Sequence, residues 1–303
     1  MLPHPHVLIA TAWLLAASAA LADDQPAASP ATTGPDHDKS GYNLFHPTPA
    51  AQMRDMAPDR PNVTNSPQTI DAGHMQVEIA LADFTHFHDR SAGNDVRTDT
   101  WSLGRFNIRA GILNDLEFNV AVTPFQFQDS YDVLSGQTSR ANGIGDTVVG
   151  GKFNVWGNDG ADAVGATALA IQPQVKLPTA NRALGNGRVE AQVNVPLMVN
   201  LPAGFHLGLM TTPLLERNSD NTGYCAGWIN SVSVDRVVFK KLDCFVEYAS
   251  HLTTERHREA QGSVDIGALY QLSRNISLDT AVNLGVNRAT PAFEWVVGLT
   301  FRL

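Results

Sequence analysis

The side chains that could do chemistry in this sequence are carboxylates, amides and amines that recur at every second position. Gln172, Gln174 and Lys176 follow this spacing, and so do Glu190 and Gln192. Successive side chains of a β-strand point to opposite faces, so such residues share one face and the apolar residues between them share the other. A polar row of this kind predicts binding or selection of a solute rather than a reaction, because no nucleophile elbow or phosphate-binding loop accompanies it.

The element that would position these residues is clearest between residues 189 and 201. Every odd position there is apolar, whereas the even positions include Glu190, Gln192 and Asn194. A tilted membrane strand needs about 9–11 residues, whereas strands of soluble sheets are commonly about 5–6 residues long. The stretch therefore predicts a membrane-spanning strand with one apolar and one polar face, and a strand of a soluble β-sandwich is the alternative.

The same alternation repeats from His74 to the C-terminus and predicts about twelve strands, an even number as in bacterial outer-membrane barrels. Short connections, such as 113–115 and 202–204, alternate with long ones, such as 85–97 and 128–145. Short periplasmic turns and long external loops are typical of these barrels. Since lipid offers no partner to an unpaired backbone group, the sheet must close. The predicted fold is all-β: a transmembrane antiparallel up-and-down β-barrel preceded by an irregular proline-rich segment.

Local features add three expectations. The apolar parity slips between Leu103 and Phe106, which indicates a β-bulge near Gly104. Aromatic residues gather toward both ends of the predicted strands, as they do at membrane interfaces. Cys225 and Cys244 fall at opposite ends of neighbouring strands, on the order of 20 Å apart at about 3.3 Å per residue. A disulfide needs Cα atoms within about 7 Å, so both cysteines should be free thiols.

Composition limits the class of protein. The 303 residues carry a formal net charge of -9, and 43% of them are hydrophobic. The acidic balance argues against a nucleic-acid partner, which would need a basic surface. The sequence has no run of about 20 apolar residues, so it predicts no transmembrane helix.

The N-terminal region divides into two parts before the predicted barrel. Residues 1–22 contain an apolar run that ends in the small-x-small pattern Ala20-Leu21-Ala22, which predicts a signal peptide, with an N-terminal anchor as the alternative. Residues 23–73 are rich in Pro, Ala and Asp, which predicts a disordered to irregular segment. This segment is a candidate plug that docks inside the barrel. Residues 74–303 are the predicted outer-membrane barrel.

The polar parity of the predicted strands gives a candidate lining for the lumen. A narrow barrel must pair its buried charges, because an isolated buried charge is costly. These residues are expected either to line a selective pore or to hold a plugged interior together through ion pairs. The candidates are Glu78, Asp146, Lys152, Gln172, Gln174, Lys176, Glu190, Gln192, Asn194, Glu247, Asp265, Asp279, Asn283, Glu294 and Arg302.

Histidines in two predicted outer loops are weak candidates for a metal site: His86, His88 and His257. Imidazole is a common metal ligand, but this spacing matches no closed zinc site, and a solvated loop is the simpler interpretation. We therefore predict no metal site, no cofactor and no catalytic residue.

Several blocks of the sequence resemble a known bacterial family. The blocks include Pro58-Asp59-Arg60-Pro61, Asp71-Ala72-Gly73-His74, Gly143-Ile144-Gly145-Asp146, Lys176-Leu177-Pro178-Thr179-Ala180 and Leu184-Gly185-Asn186-Gly187-Arg188. Over most of 58–303 they resemble the family described as "Putative MetA-pathway of phenol degradation". The resemblance implies a small outer-membrane β-barrel transporter, sometimes linked to uptake of aromatic compounds, without family-wide catalytic residues. The chain departs from such barrels at Leu303, where an aromatic residue is usual.

These observations predict a bacterial outer-membrane channel for passive uptake of small solutes, with hydrophobic or aromatic (phenol-type) compounds as the candidates. Its partners would be outer-membrane lipid, the solute and, during insertion, the barrel-assembly machinery. Two alternatives stay open. One is a non-conducting barrel whose extracellular loops bind a ligand or partner, and the other is a lipid-modifying barrel enzyme.

Overall fold

The computed structural model of the protein describes residues 38–90, 93, 95–160, 163–256 and 258–303. The predicted signal peptide, residues 1–22, and the first part of segment 23–73 lie outside the described residues. Within the described ranges, no helix combines the length and the apolar character needed to cross a membrane.

Fourteen antiparallel strands make up one sheet. They are β1 (Met75–Asp89), β2 (Val96–Leu113), β3 (Leu116–Val122), β4 (Phe125–Asp132), β5 (Thr138–Gly143), β6 (Thr147–Trp156), β7 (Thr167–Leu177), β8 (Glu190–Asn200), β9 (Phe205–Arg217), β10 (Tyr224–Phe239), β11 (Leu242–Thr253), β12 (Gln261–Ser273), β13 (Ile276–Gly285) and β14 (Phe293–Arg302). Short 3-10 turns occur at Ala50–Gln52 and Pro202–Gly204.

The sheet closes on itself because β1 pairs with both β14 and β2. β3 and β4 pair with successive halves of β2, and β6 and β5 follow them in the same way. The fourteen strands therefore form a closed barrel of twelve, which confirms the predicted fold class. Closure gives the strands of the wall two neighbours, as backbone groups in lipid require, whereas β5, at the long-loop end, pairs with β4 alone.

Apolar side chains cover the outside of the barrel and polar side chains fill the inside. Leu215 and Ile266 are 50% and 53% exposed on the outer face, whereas Arg109, Lys152 and Gln172 are 0% exposed. This distribution is the reverse of that in a soluble domain. It suits a wall with hydrocarbon outside and a polar interior.

The predicted irregularity at Gly104 is present. Gly104 adopts a φ of 66°, a conformation that costs glycine little, and the pairing of β2 with β1 passes from Leu103 to Arg105 across it. Before Gly104 the odd-numbered Trp101 points outward and is 42% exposed, and after it the odd-numbered Arg109 is buried. The inward parity therefore changes at Gly104, as the sequence indicated, but β2 keeps its register with β1, and the register shift lies on β1 between Ala80 and Ala82, against β14.

The prediction of long loops at 85–97 and 128–145 is wrong for much of their length. β1 continues to Asp89 and β2 begins at Val96, while β4 and β5 form a hairpin within the second range. Thr123 and Pro124 separate β3 from β4, because proline cannot donate to the ladder. β4 keeps the alternation, with exposed Phe125 and Phe127 between Gln126 and Gln128, but it begins after the break at Thr123 and Pro124. β5 is mostly exposed, and Ala141 is its one hydrophobic residue, so it carries little of the apolar signal on which the prediction depended.

Candidate functional site: the barrel lumen

Residues 54–73 run through the barrel interior, and we call them the lumenal segment. Arg60 Nη2 lies 2.8 Å from Asp279 Oδ1 on β13, and the Thr64 backbone N–H donates to Glu247 Oε1 on β11 at 2.8 Å. Because the wall residues in these contacts are almost completely buried, the segment fills part of the lumen. These contacts place the described end of the irregular N-terminal segment inside the barrel. Its role as a plug stays a prediction.

Arg109 on β2 organises one side of the lumen. Its Nε and Nη2 donate to the Glu117 carboxylate at 2.8 and 2.9 Å, and its Nη1 donates to Glu78 at 2.9 Å. The same guanidinium donates to the backbone oxygens of Ala57 and Gln68 in the lumenal segment, both at 3.0 Å. All of its N–H donors thus find acceptors, which a buried charge needs in order to be tolerated.

Lys152 on β6 extends this cluster. Its buried ammonium lies 2.6 Å from Asp59 Oδ1 and donates to the Ser66 backbone oxygen at 2.8 Å. Glu117 also accepts from the Ile70 backbone N–H at 2.8 Å. We refer to Glu78, Arg109, Glu117 and Lys152 as the charged wall. It holds the lumenal segment through charge-assisted hydrogen bonds, which are the strong kind.

A second group, made of neutral side chains, lines the lumen on β7, β8 and β9. Gln192 Nε2 donates to Gln174 Oε1 at 2.9 Å, and Asn194 Nδ2 donates to Gln172 Oε1 at 3.3 Å. Thr212 donates to Asn194 Oδ1 at 3.0 Å. We refer to these five residues as the amide wall. Amides and hydroxyls can donate and accept, so this surface can exchange partners without leaving a charge unpaired.

The lumenal segment separates two cavities. The lower cavity, of about 760 Å³, reaches the short turns of the barrel through Lys240 and Arg274. The upper cavity, of about 350 Å³, lies toward the long loops, near Gln192 and Glu294. Both cavities are lined by the same four residues of the segment: Arg60, Pro61, Asn62 and Asn65. This stretch therefore stands between two voids of a single barrel.

The candidate lining residues occupy the inward parity, as expected from the alternation. The fully enclosed ones are Glu78, Lys152, Gln172, Asn194, Glu247, Asp265, Asp279 and Arg302. The partly exposed ones are Asp146, Gln174, Lys176, Glu190, Gln192, Asn283 and Glu294. That they line a conducting pore stays a prediction, and most of the enclosed ones hold the lumenal segment or one another.

Residues that the alternation did not single out occupy central places. Arg109 and Glu117 belong to the charged wall. In the lumenal segment, Asp59 binds Lys152 of this wall, and Arg60 binds Asp279 on β13. The parity exchange at Gly104 concealed Arg109. Glu117 lies between the apolar residues Leu116 and Phe118, and this alternation could have revealed it.

The ion pairs at the two ends of the barrel are more exposed to solvent than those of the charged wall. At the long-loop end, Lys176 Nζ lies 2.8 Å from Glu190. At the short-turn end, Lys39 Nζ lies 2.5 Å from Asp159. Partial burial raises the pKa of Asp159, but the hydrogen bond from Lys39 and the charge of Arg54 outweigh it, so the pKa lies below its usual value.

The histidine candidates do not form a common site. His86 lies 2.6 Å from Asp99 and His88 lies 2.6 Å from Asp95, in separate pairs. His257 lies outside the described residues. Among the residues described, no group of three metal-binding side chains comes together. Cys225 and Cys244 are free thiols, as predicted.

Comparison with known proteins now decides the family. The family model described as "Putative MetA-pathway of phenol degradation" matches residues 58–303. The chain belongs to this family. The match begins inside the lumenal segment, so the family covers both the segment that crosses the lumen and the wall that holds it. The comparison with curated proteins finds no match.

Solved structures share the architecture of this family member at low sequence identity. The COG4313 outer membrane channel from Pseudomonas putida F1 is similar with a TM-score of 0.59 and 10% identity, over 80% of this chain and 99% of that chain. The transport unit of the autotransporter AIDA-I from Escherichia coli is similar with a TM-score of 0.51 and 10% identity, over 75% and 89%. These similarities show an outer-membrane barrel fold.

Proposed function

We propose that the protein is an outer-membrane channel through which small solutes diffuse passively, and that the lumenal segment is its plug. The observation that carries the proposal is the pair of cavities inside one closed barrel, separated by the stretch 60–65. A barrel with a polar interior offers a solute a path that lipid does not. Movement down a gradient needs only that the two cavities become continuous.

The contacts of the segment support a local opening rather than its complete exit. The part that binds the charged wall, around Ala57 and Gln68, is held by a buried guanidinium. The stretch 60–65 is held at Arg60 by Asp279, at Val63 and Thr64 by Glu247, and at Asn65 by Gln172. Release of these contacts would let the stretch move while its ends stay anchored.

The family description and the lumen chemistry together support the solute class. The family is described by phenol degradation, and the channel to which the fold is similar is an outer membrane channel. We propose small hydrophobic or aromatic compounds, such as phenols, as the solutes. Growth on phenolic carbon sources, with and without the protein, tests this part.

Single-channel recording in planar bilayers tests conduction. We expect small, infrequent currents from the complete mature chain and larger, steady currents after deletion of residues 41–73. A variant in which the hairpin tip 133–137 is shortened is the control, because it alters a connection of the long-loop end and should behave as the unmodified chain does. An absence of current in both the complete and the deleted protein would favour the non-conducting barrel whose loops bind a ligand or partner.

The same reconstituted vesicles test the remaining alternative. We propose no reaction for this chain, so its lipids should remain intact during the recording period. Release of fatty acid that depends on the protein would favour the lipid-modifying enzyme.

A further inference from the structure

Apolar side chains interrupt the polar lining at the upper cavity. Val148, Met210, Ile229 and Val296 line this cavity, and we call them the apolar ring. Two positions away on the same strands and the same face, the residues are Gly150, Thr212, Ser231 and Glu294. Four separate strands thus contribute hydrocarbon at one level of the upper cavity. The lower cavity has apolar wall residues of its own, which lie toward the short turns: Leu197, Met198, Val237, Phe245 and Leu269.

The apolar ring lies in the lumen, and any of its surface that faces water gains no hydrophobic stabilisation until something apolar covers it. Met210 and Val296 are only 7% and 4% exposed and are already packed by their neighbours, whereas Val148 and Ile229 are half-buried. The surface that the apolar ring leaves accessible therefore belongs mainly to Val148 and Ile229. A ligand with a hydrocarbon body would remove that surface from water.

Most of the charged side chains around the upper cavity form ion pairs within the protein. Asp59 lies 2.6 Å from Lys152, Arg60 lies 2.8 Å from Asp279, and Arg105 lies 2.7 Å from Asp83. A charged ligand would have to compete with these pairs. Glu294 also lines the cavity, and its carboxylate would repel an anion.

Two acceptor atoms of residues that line the cavity, Asp59 Oδ2 and Asn107 Oδ1, are buried and have no hydrogen-bond partner among the described residues. Asn107 is the uncharged one of the two. An amide oxygen accepts, so it requires a donor from a ligand or from water. A hydroxyl group meets this requirement without bringing a charge into the cavity.

We propose that the upper cavity is a binding station for a small uncharged solute that has a hydrocarbon body and a hydroxyl group. Its volume of about 350 Å³ falls at the lower end of the range of small-molecule pockets. The apolar ring covers the hydrocarbon body, and Asn107 accepts the hydroxyl hydrogen. The station rests on the proposed channel for the route by which the solute arrives, but binding can be measured without any current.

Protection of an introduced thiol tests the station. Cys225 and Cys244 are replaced by Ser, and Ala121→Cys places a thiol in the lining of the upper cavity. The matched variant Ser233→Cys places one in the lining of the lower cavity. The rate of reaction with a small methanethiosulfonate is measured in lipid nanodiscs, with cyclohexanol as the probe.

We expect cyclohexanol to slow the reaction at Ala121→Cys several-fold and to leave the reaction at Ser233→Cys unchanged. Cyclohexanecarboxylate and inositol, which keep the ring but add charge or remove the apolar surface, should protect neither thiol. Equal protection by any of these compounds, stronger protection by cyclohexylammonium, or no protection by cyclohexanol would overturn the station. Conductance of the same variants is recorded separately, so a failed channel and a failed station give different results.

Substitution of the apolar ring makes the test specific. Met210→Gln keeps the length of the side chain but adds a polar amide, and it should abolish protection by cyclohexanol at Ala121→Cys. Met198→Gln, in the lining of the lower cavity, is the matched change and should retain that protection. Equal behaviour of the two variants would contradict a role for the apolar ring.

Discussion

The charged wall and the amide wall adjoin where β6 pairs with β7, and they hold the lumenal segment differently. The charged wall holds it at several points, including Ala57, Ser66 and Gln68, through Arg109 and Lys152. Within the described part of the chain, the amide wall contacts it through a hydrogen bond from Asn65 to Gln172 at 2.8 Å. One side is an anchor, and the other is a lightly bonded surface.

The difference follows from what each wall would lose if the segment moved. A buried guanidinium or ammonium that lost its acceptors would be left as an uncompensated charge, which is costly in a low dielectric. Neutral amides that lost one partner could rebind each other or water at a smaller cost. A path opened by movement of the segment is therefore expected along the amide wall.

The strongest way to break this contrast is to remove the centre of the charged wall. Arg109→Met leaves Glu78 and Glu117 buried without their partner and should cost about 3–5 kcal/mol of unfolding free energy. Gln172→Met, in the amide wall, should cost about 1–3 kcal/mol, because it leaves neutral groups unpaired. Urea unfolding in detergent, followed by tryptophan fluorescence, measures both. Similar losses in the two variants would mean that the walls do not differ as described.

A smaller effect is expected where the segment meets the wall of β11. Glu247 accepts from the backbone N–H groups of Val63 and Thr64 at 2.7 and 2.8 Å. Glu247→Gln keeps the size of the side chain but removes the charge, which should weaken these bonds by about 1.5–3 kcal/mol in total.

We expect this weakening to raise the frequency of openings in planar bilayers. Glu190→Gln is the control, because Glu190 pairs with Lys176 at the long-loop end rather than with the segment. Openings that increase equally in both variants would count against a specific contact at Val63 and Thr64.

Much of the wall could be predicted from the sequence because one physical rule governs it. Hydrocarbon outside and polar groups inside impose a period of two, and this period identified the strands and inward residues such as Gln172, Glu247 and Asp279. The rule fails at Gly104, where the inward parity changes and hides Arg109. It also fails in β5, which is mostly exposed and whose one hydrophobic residue is Ala141.

The lumenal segment could not be predicted in the same way. Asp59, Arg60 and Thr64 lie in a stretch without periodicity, and each has a partner more than 90 residues away in the sequence: Lys152, Asp279 and Glu247. Composition indicates only that such a stretch cannot build its own core. Its position depends on the finished barrel, which supplies the buried acceptors and donors.

The ion pair of Arg60 and Asp279 sharpens the comparison at the constriction. Arg60→Gln and Asp279→Asn should each raise the opening frequency, and the double variant should exceed neither by much, because both changes remove one shared contact. A coupling of about 0.5–3 kcal/mol is expected between residues in contact. Additive effects in the double-mutant cycle would indicate that the two side chains act independently.

The smallest effect is expected at the short-turn end, outside the two walls. The pKa of Asp159 lies below its usual value of 3.8, since the hydrogen bond from Lys39 and the charge of Arg54 outweigh the opposing effect of burial. A carboxyl group with a lowered pKa stabilises the folded state above its usual pKa, and this contribution is lost as the pH falls through the folded-state pKa. Acidification of the solution at the short-turn end should therefore loosen the start of the lumenal segment and raise the frequency of channel openings.

Asp159→Asn should show the raised frequency at every pH and lose the acid dependence. Asp220 offers a matched control, because hydrogen bonds from Thr222 also lower its pKa, but it lies in a long loop away from Lys39. Asp220→Asn should keep the acid dependence of the unmodified chain. An acid response that disappears in Asp220→Asn, or persists in Asp159→Asn, would place the sensitive carboxylate elsewhere. The start of the segment would then be anchored without a contribution from Asp159.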